Sequence, residues 1–369
     1  MRLRRSQPYF LLSLLPALLV GCATPGTQQG TRRPAEVRAE IARLLPASAD
    51  DRAGWAADIA SAFSALDVEP GTSNLCATLA VIGQESNYTA DPVVPNLGRI
   101  ARAEIDRRAD DHHVPQLVVR ATLSLKSSDG RTYAERIAAV RTERELSLLY
   151  EEFTGKVPLG RRLFAGANPV HTGGPMQVSV AFAEQDARER DYPYPVDGSI
   201  RHEVFSRRGG IYFGVAHLLG YEAPYDRMIY RFADYNAGFY ASRNAAFQNA
   251  IAIASGAKLS LDGDLVSYDS DKPGATERAV RSLARRIGAS DEEIRDALEK
   301  GESADLEKTR VYREIFALAQ RAAHAKLPRA TIPRIALKSP KITRKLTTEW
   351  FATRVDRRYQ ACLAKASGR

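Results

Sequence analysis

A carboxylate stands at the end of an apolar helical run, in the stretch Val-Ile-Gly-Gln-Glu-Ser-Asn-Tyr at positions 81–88. Partial burial and the negative end of the helix dipole both favour the protonated form of the Glu85 carboxyl group. A carboxyl group that keeps its proton near neutral pH can act as a general acid. Glu85 is therefore a candidate catalytic acid, although Gln-Glu-Ser alone also fits a solvated helix end.

Two further motifs could line a ligand groove. The first is Gly-Gly-Pro-Met-Gln-Val at 173–178, where glycines permit close backbone approach, Met176 offers an apolar contact and Gln177 offers an amide. The second is Tyr235-Asn236-Ala237-Gly238, which presents Tyr235 at a helix end. A glycine-rich turn before a core helix and a simple helix C-cap are the structural alternatives. Gly210 and Gly214, on one helix face between these motifs, favour close packing.

The order of these four pieces resembles the lysozyme-like fold of lytic transglycosylases, which cleave peptidoglycan, over about residues 70–250. The resemblance implies that Glu85 is the sole catalytic acid and base and is paired with Ser86. It makes Met176 and Gln177 groove residues. It also implies that Tyr235 orients Glu85 or the substrate acetamido group and that Asn236 supports the turn. The whole chain also resembles a family of Gram-negative lipoproteins of unknown function.

A single acid implies substrate-assisted cleavage of the bond between N-acetylmuramic acid (MurNAc) and N-acetylglucosamine (GlcNAc), which forms 1,6-anhydro-MurNAc ends. A second carboxylate in the groove, from Asp91, Glu203 or Asp234, would instead favour a muramidase that hydrolyses the bond with water. A noncatalytic lipoprotein that binds or scaffolds peptidoglycan on the same fold is the third alternative.

Helical periodicity dominates the sequence, so we expect a mainly α fold with a lysozyme-like catalytic core. Thr72 or Ser73 is a plausible N-cap for the helix that leads to Glu85, and Leu117–Leu125 is a strand candidate. The nearly ninety residues between Glu85 and Gly174 imply an inserted subdomain. The expected domains are a signal peptide (1–21), a tether (22–33), the core (34–96 and 163–255), the insertion (97–162) and a C-terminal helical extension (256–369).

The N-terminus predicts export and lipidation. Arg2, Arg4 and Arg5 precede a short apolar run, and Leu19-Val20-Gly21-Cys22 resembles the lipobox of bacterial lipoproteins. We expect Cys22 to carry the lipid anchor, with ordinary cleavage near Ala23 as the alternative. Because residue 23 is alanine, the sorting pattern implies the periplasmic face of the outer membrane. The partners are then that membrane and peptidoglycan glycan strands, whereas the compartment excludes nucleic acid; protein partners stay unknown.

Two cysteines, Cys76 and Cys362, remain when Cys22 is lipidated. In an oxidising compartment they predict a disulfide that stabilises by about 4 to 5 kcal/mol, with two buried thiols as the alternative. Without residues 1–21 the net charge falls from +9 to +6, which suits an anionic polymer. We expect no cofactor and no metal, because adjacent helical residues such as those of Asp-Asp-His-His at 110–113 point in different directions.

Overall fold

The protein is described here by a computed structural model that covers residues 32–156, 168–267, 270, 272–337 and 345–368. Cys22 and the signal peptide lie outside the described residues. The mainly α fold is confirmed, since the strands in the described part of the chain form only two short two-stranded sheets. The lysozyme-like character of the core stays a prediction. Within the described ranges no helix is both long and apolar enough to cross a membrane.

The element bounds follow the chain in order, with labels that refer to the described residues. The first group is α1 (Pro34–Leu44), α2 (Arg52–Ala65), α3 (Thr72–Glu85), α4 (Leu97–Asp111), α5 (Gln116–Leu123), α6 (Tyr133–Ala139) and α7 (Glu143–Lys156). The second is β1 (Thr172–Gly173), β2 (Val178–Ser179), α8 (Val180–Glu189), α9 (Ile200–Val204), α10 (Arg207–Leu219), α11 (Met228–Ala237) and α12 (Ala241–Ser255). The third is α13 (Ala275–Arg281), α14 (Ala284–Ile287), α15 (Asp291–Leu298), 3-10 turns Glu299–Glu302 and Ala304–Lys308, α16 (Arg310–Ala323), β3 (Ala336–Leu337), β4 (Leu346–Thr347) and α17 (Thr348–Ala366).

The first apolar cluster surrounds α3. Residues 75–83 of this helix are all buried, as expected for a helix enclosed on every side. Helices α1, α2, α10 and α11 contribute to the same cluster, and so does α17 from the far end of the chain. The helix that ends at Glu85 is therefore held rigidly by tertiary packing.

A second cluster lies within the segment that was expected to be an insertion. It joins apolar side chains of α4 to α7 with Val170 and Phe205 from the core. The strand expected at Leu117–Leu125 is wrong, because the chain forms α5 there. Val119 and Leu123, four residues apart, are buried on one helical face, whereas Leu117 and Val118 are exposed. The β-branched pair at 118–119 suggested a strand, but helical packing against the cluster determines the conformation.

A third cluster joins α12 with α13 to α16. The observed clusters divide the chain differently from the expected boundaries at two points, since α12 packs with the C-terminal helices and α17 packs with the first cluster. Residues 275–287 form two separate helices, α13 and α14. Helix α17 then returns to pack directly against α3.

The expected disulfide between Cys76 and Cys362 is confirmed, with the two Cα atoms 5.5 Å apart. It joins the first half of α3 to the last turns of α17. Near it, the hydroxyl groups of Ser73 and Tyr359 lie 2.8 Å apart, within hydrogen-bond distance. Helices α3 and α17 therefore run side by side, held by both a covalent bond and side-chain packing.

Candidate functional site

Glu85 is the last residue of α3, as the sequence predicts. The helix begins one residue earlier than expected: Gly71 is its N-cap, so neither Thr72 nor Ser73 has that role. Ser86 follows as the C-cap, buried, with its hydroxyl donating to the Ile82 carbonyl at 3.1 Å. Ser86 therefore closes the helix, while the partly buried Glu85 reaches the end of the enclosed core.

Tyr235 lies in the last turn of α11 and connects two of the motifs. Its hydroxyl donates to the Met176 carbonyl at 2.7 Å. Burial raises the pKa of Tyr235 well above its usual value, and the negative charge of Glu85 raises it further. The charge of Glu85 therefore acts on Tyr235, and a hydrogen bond joins Tyr235 to Met176, although the three residues come from separate parts of the sequence.

The loop that carries Met176 is the turn of a short hairpin between β1 and β2. Gly174 and Gln177 have positive φ values of 71° and 51°. The backbone N–H of Gln177 donates to the Gly174 carbonyl at 3.1 Å. Gly174 accommodates this left-handed backbone readily because it has no β-carbon. The motif at 173–178 is therefore a tight turn followed by α8, which the sequence had suggested as one of its two interpretations.

The glycine face of α10 packs against this turn. A β-carbon on Gly210 would lie 2.5 Å from Pro175 Cδ, and one on Gly214 would lie 2.6 Å from Met176 Cβ. The expectation that these glycines allow close packing is confirmed, and their partner is the hairpin turn. Met176 is completely buried in consequence, so its backbone carbonyl, rather than its side chain, faces Tyr235.

Gln177 is held by two protein partners. Its Nε2 donates to a carboxylate oxygen of Glu143 at 2.9 Å, and its Oε1 accepts from the Thr172 hydroxyl at 3.2 Å. Glu143 opens α7 and is buried, so the segment between Glu85 and the hairpin supplies the residue that fixes the turn. The Gln177 side chain thus positions the loop, and sequence analysis did not identify its partner Glu143.

A cluster of partly buried rings extends from Tyr235. The ring of His217 lies 4.9 Å from that of Tyr235, 4.8 Å from Phe182 and 4.7 Å from Phe239, measured between centroids. Burial lowers the pKa of His217 to about 4, so its imidazole is neutral at physiological pH. Aromatic faces beside a neutral hydrogen-bonding ring suit an uncharged sugar better than an ion.

Asn236 connects this region to the last helix. It is exposed, and its Oδ1 accepts from the Thr348 hydroxyl at 3.0 Å, at the first residue of α17. Gly238, with a φ of 109°, ends α11 as the sequence predicts. Asn236 therefore ties the end of α11 to the start of α17.

The three possible second acids differ in their surroundings. Asp234 is 1% exposed and accepts hydrogen bonds from the hydroxyls of Tyr221 and Tyr225 and from the Ser242 amide. Glu203 is likewise buried and binds Tyr192 and Arg208. Both carboxylates hold the fold together.

Asp91 is the third possible second acid and is only partly buried. Burial raises its pKa, while a hydrogen bond from the Thr142 hydroxyl at 3.0 Å opposes that rise. Of the three, Asp91 is the one whose carboxylate is not enclosed by the fold.

Comparison with known proteins identifies the family. Residues 48–365 match the model of a family described as a protein of unknown function, DUF1615. The chain belongs to the DUF1615 family. An uncharacterized protein of Escherichia coli (strain K12), YaiW, is 51% identical over 362 residues, which cover 97% of this chain and 99% of that protein. No solved structure matches the chain.

In this DUF1615 protein the fold brings Glu85, Met176 and Tyr235 together, and it ties Asn236 to α17. Cys22 lies outside the described residues. Neither Glu85 nor Tyr235 lines any of three cavities, of about 640, 170 and 730 Å³, that the described residues form. Among the described residues no group of three His, Cys, Asp or Glu side chains could hold a metal ion. The candidate site is thus separate from these three cavities.

Sequence reasoning missed Phe182, His217 and Phe239. They come from α8, α10 and the turn after α11, so no local periodicity links all three. The spacing of four residues between Tyr235 and Phe239 was the one available signal. Their contacts arise from the packing of separate helices, which a single sequence does not specify.

Proposed function

We propose that this protein is a peptidoglycan lytic transglycosylase that cleaves the MurNAc-GlcNAc bond with Glu85 as its single acid and base. The observation that carries the proposal is the hydrogen bond from the Tyr235 hydroxyl to the Met176 carbonyl, with the charge of Glu85, at the end of α3, acting on Tyr235. The motifs that contain these residues also resemble those of lytic transglycosylases.

The aromatic cluster supports a glycan as the ligand. Phe182, His217 and Phe239 offer partly exposed ring surface next to Tyr235, and apolar faces of sugar rings pack against such surfaces. Because the His217 imidazole is neutral, it can donate or accept a hydrogen bond from a sugar hydroxyl without attracting ions. A neutral polysaccharide backbone suits this arrangement.

In the proposed mechanism the Glu85 carboxyl group donates its proton to the glycosidic oxygen as the bond to C1 of MurNAc breaks. The substrate's own acetamido oxygen stabilises the positive charge that develops at C1. The Glu85 carboxylate then takes the proton from the C6 hydroxyl, and O6 bonds to C1. The product is a 1,6-anhydro-MurNAc end, and no water is consumed. The hydrogen bond from the Tyr235 hydroxyl to the Met176 carbonyl fixes the end of α11 against the hairpin turn.

The test is mass spectrometry of the products released from purified peptidoglycan. The wild-type protein should release 1,6-anhydro muropeptides, and Glu85→Gln should release none. Glu69→Gln removes an exposed carboxylate just before α3 and is the matched control that should keep full activity. Anhydro products from Glu85→Gln, or no products from the wild type, would overturn the proposal.

Products with ordinary reducing ends, one water heavier, would identify a muramidase. Asp91 would then be the first residue to test as the second carboxylate, by Asp91→Asn. The carboxylates of Asp234 and Glu203 are buried and already accept hydrogen bonds from other side chains of the protein. Binding of glycan strands without any product would identify a noncatalytic peptidoglycan-binding lipoprotein. One product analysis therefore separates the three candidate functions.

For the location, we propose anchoring to the periplasmic face of the outer membrane by lipid on Cys22. The disulfide supports export, because such bonds persist in oxidising compartments. The eleven residues 23–33 could extend at most about 36 to 40 Å, so the domain would stay near that membrane. Metabolic labelling with a fatty-acid analogue should label the wild type and leave Cys22→Ser unlabelled.

A further inference from the structure

The first turns of α17 border the candidate site. The Thr348 hydroxyl binds Asn236 at the end of α11, while Cys362, near the other end of the helix, is bonded to Cys76 in α3. The stretch between these two connections therefore passes the end of α3, where Glu85 lies. This helix brings residues from the far end of the chain to the site.

Two arginines of this stretch converge on the residue that precedes Glu85. The Nε atoms of Arg354 and Arg358 each lie 3.4 Å from the same oxygen, Oε1 of Gln84. Both side chains are exposed, and the Arg354 guanidinium lies 5.1 Å from the centre of the Trp350 ring. Arg358 also lies near Tyr88: burial raises the pKa of Tyr88 to about 12, and the charge of Arg358 partly opposes that rise.

The pair has no acidic partner among the described residues. Neither Arg354 nor Arg358 forms a salt bridge there, not even with Glu349 or Asp356 of the same helix. By contrast, Arg207 binds both Asp51 and Asp58. Two like charges four residues apart on a helix repel each other, and one neutral amide oxygen offsets that repulsion poorly. An anion between the guanidinium groups would remove the repulsion.

We propose that Arg354 and Arg358 form an anion subsite that binds a carboxylate of the glycan strand beside Glu85, an inference that rests on the proposed function. Guanidinium groups pair with carboxylates through two parallel hydrogen bonds, which gives both attraction and orientation. In peptidoglycan the carboxylate comes from one of two sources: the lactyl group of a muramic acid without a peptide, or the stem peptide of an intact strand.

The subsite also assigns a role to α17. The disulfide and the Asn236 contact hold this helix in register along α3, so the two guanidinium groups keep a fixed position relative to Glu85. A glycan strand would then make two contacts: its sugar rings would pack on the aromatic cluster, and its carboxylate would bind the two guanidinium groups. Recognition would depend on both the sugar backbone and its carboxylate.

The test measures binding with the Glu85→Gln protein, so that turnover does not interfere. Three soluble ligands are compared: muramic-acid glycans without peptides, the same glycans with stem peptides, and chito-oligosaccharides that carry no carboxylate. The double variant R354Q/R358Q should bind a carboxylated glycan about tenfold more weakly, since two exposed charged contacts contribute about that factor. Its affinity for chito-oligosaccharides should not change. Arg357→Gln, another exposed arginine of α17, is the matched control and should bind all three ligands as before.

The outcome identifies the source of the carboxylate. A loss confined to peptide-free glycans assigns the lactyl group, and a loss confined to peptide-bearing glycans assigns the stem. Equal affinity of R354Q/R358Q and its parent for both would overturn the subsite, as would an equal loss for chito-oligosaccharides. Loss of binding to anionic phospholipid vesicles, with glycan binding unchanged, would also overturn it and assign the pair to a membrane.

The salt dependence of binding by the Glu85→Gln protein provides a second measurement that does not depend on the folding of an arginine variant. Added salt should weaken binding of the carboxylated ligand and leave chito-oligosaccharide binding unchanged, because salt screens exposed charges. The two proposals fail separately. Arginine-dependent binding without any turnover would retain the subsite and refute the transglycosylase, whereas turnover with arginine-independent binding would do the reverse.

Discussion

His217 should make the stability of this protein sensitive to mild acid. Burial among the rings of Phe182, Tyr235 and Phe239 lowers the pKa of the imidazole from 6.5 to about 4. The unfolded chain therefore binds a proton near pH 6.5, while the folded chain does not bind it until about pH 4. As the pH falls through this window, the proton favours the unfolded state, and the free energy of unfolding decreases.

The size of the effect follows from the shift. With these two pKa values, proton linkage removes about 2 kcal/mol of stability between about pH 7.5 and about pH 5, and about 3 kcal/mol by about pH 4. His217→Phe keeps an aromatic ring in the cluster and removes the titrating group. The variant should therefore lose less stability than the wild type over the same range.

Urea unfolding at a series of pH values, followed by circular dichroism, provides the assay. The difference between wild type and His217→Phe isolates the imidazole, because every other titrating group is common to both proteins. His112→Phe removes an exposed histidine and should follow the wild type. Parallel stability curves for wild type and His217→Phe would refute the burial of a neutral imidazole in this cluster.

Three further perturbations test the framework of the site. Reduction of the Cys76–Cys362 disulfide, which closes a loop across 286 positions, should lower the free energy of unfolding by up to about 5 kcal/mol; equal urea midpoints for oxidised and reduced protein would contradict this. Gly214→Ala should cost about 1 to 3 kcal/mol by thermal unfolding, because the added methyl overlaps Met176, and an unchanged midpoint would show that the turn can move away. Tyr235→Phe should cost about 1 to 3 kcal/mol in the same assay and reduce any glycan cleavage, because it leaves the Met176 carbonyl without its donor; unchanged stability and activity would argue against that hydrogen bond.

The sequence predicted those parts of the site that depend on local pattern. The apolar periodicity before Glu85 located the end of α3, and Gly238 located the end of α11. The start of helix α11 at Met228 has no comparable local signal. Before it, Tyr225 turns its hydroxyl toward Asp234 at 2.6 Å, so this stretch is a loop with a tertiary partner. Helix ends with strong local signals were predictable, whereas those set by distant side chains were not.

Contacts between distant segments could not be predicted from the sequence. Glu143 is 34 positions from Gln177 and belongs to a segment that the sequence identified only as an insertion. Its carboxylate can accept the hydrogen bond from Gln177 only when α7 packs against the hairpin. The strand expected at 117–125 was wrong for a related reason, since burial of Val119 and Leu123 on one side requires the neighbouring helices of that cluster. Tertiary packing selected the conformation in both cases.

The last helix shows how much of this site depends on such packing. By position, α17 belongs to the C-terminal extension, yet it packs in the first cluster and makes its strongest connections to α3 and α11. Removal of the extension would therefore expose the apolar face of the helix that carries Glu85, in addition to removing Arg354 and Arg358. The smallest unit that can hold the candidate site in place must include α17, although it starts 263 positions after the end of α3 in the chain.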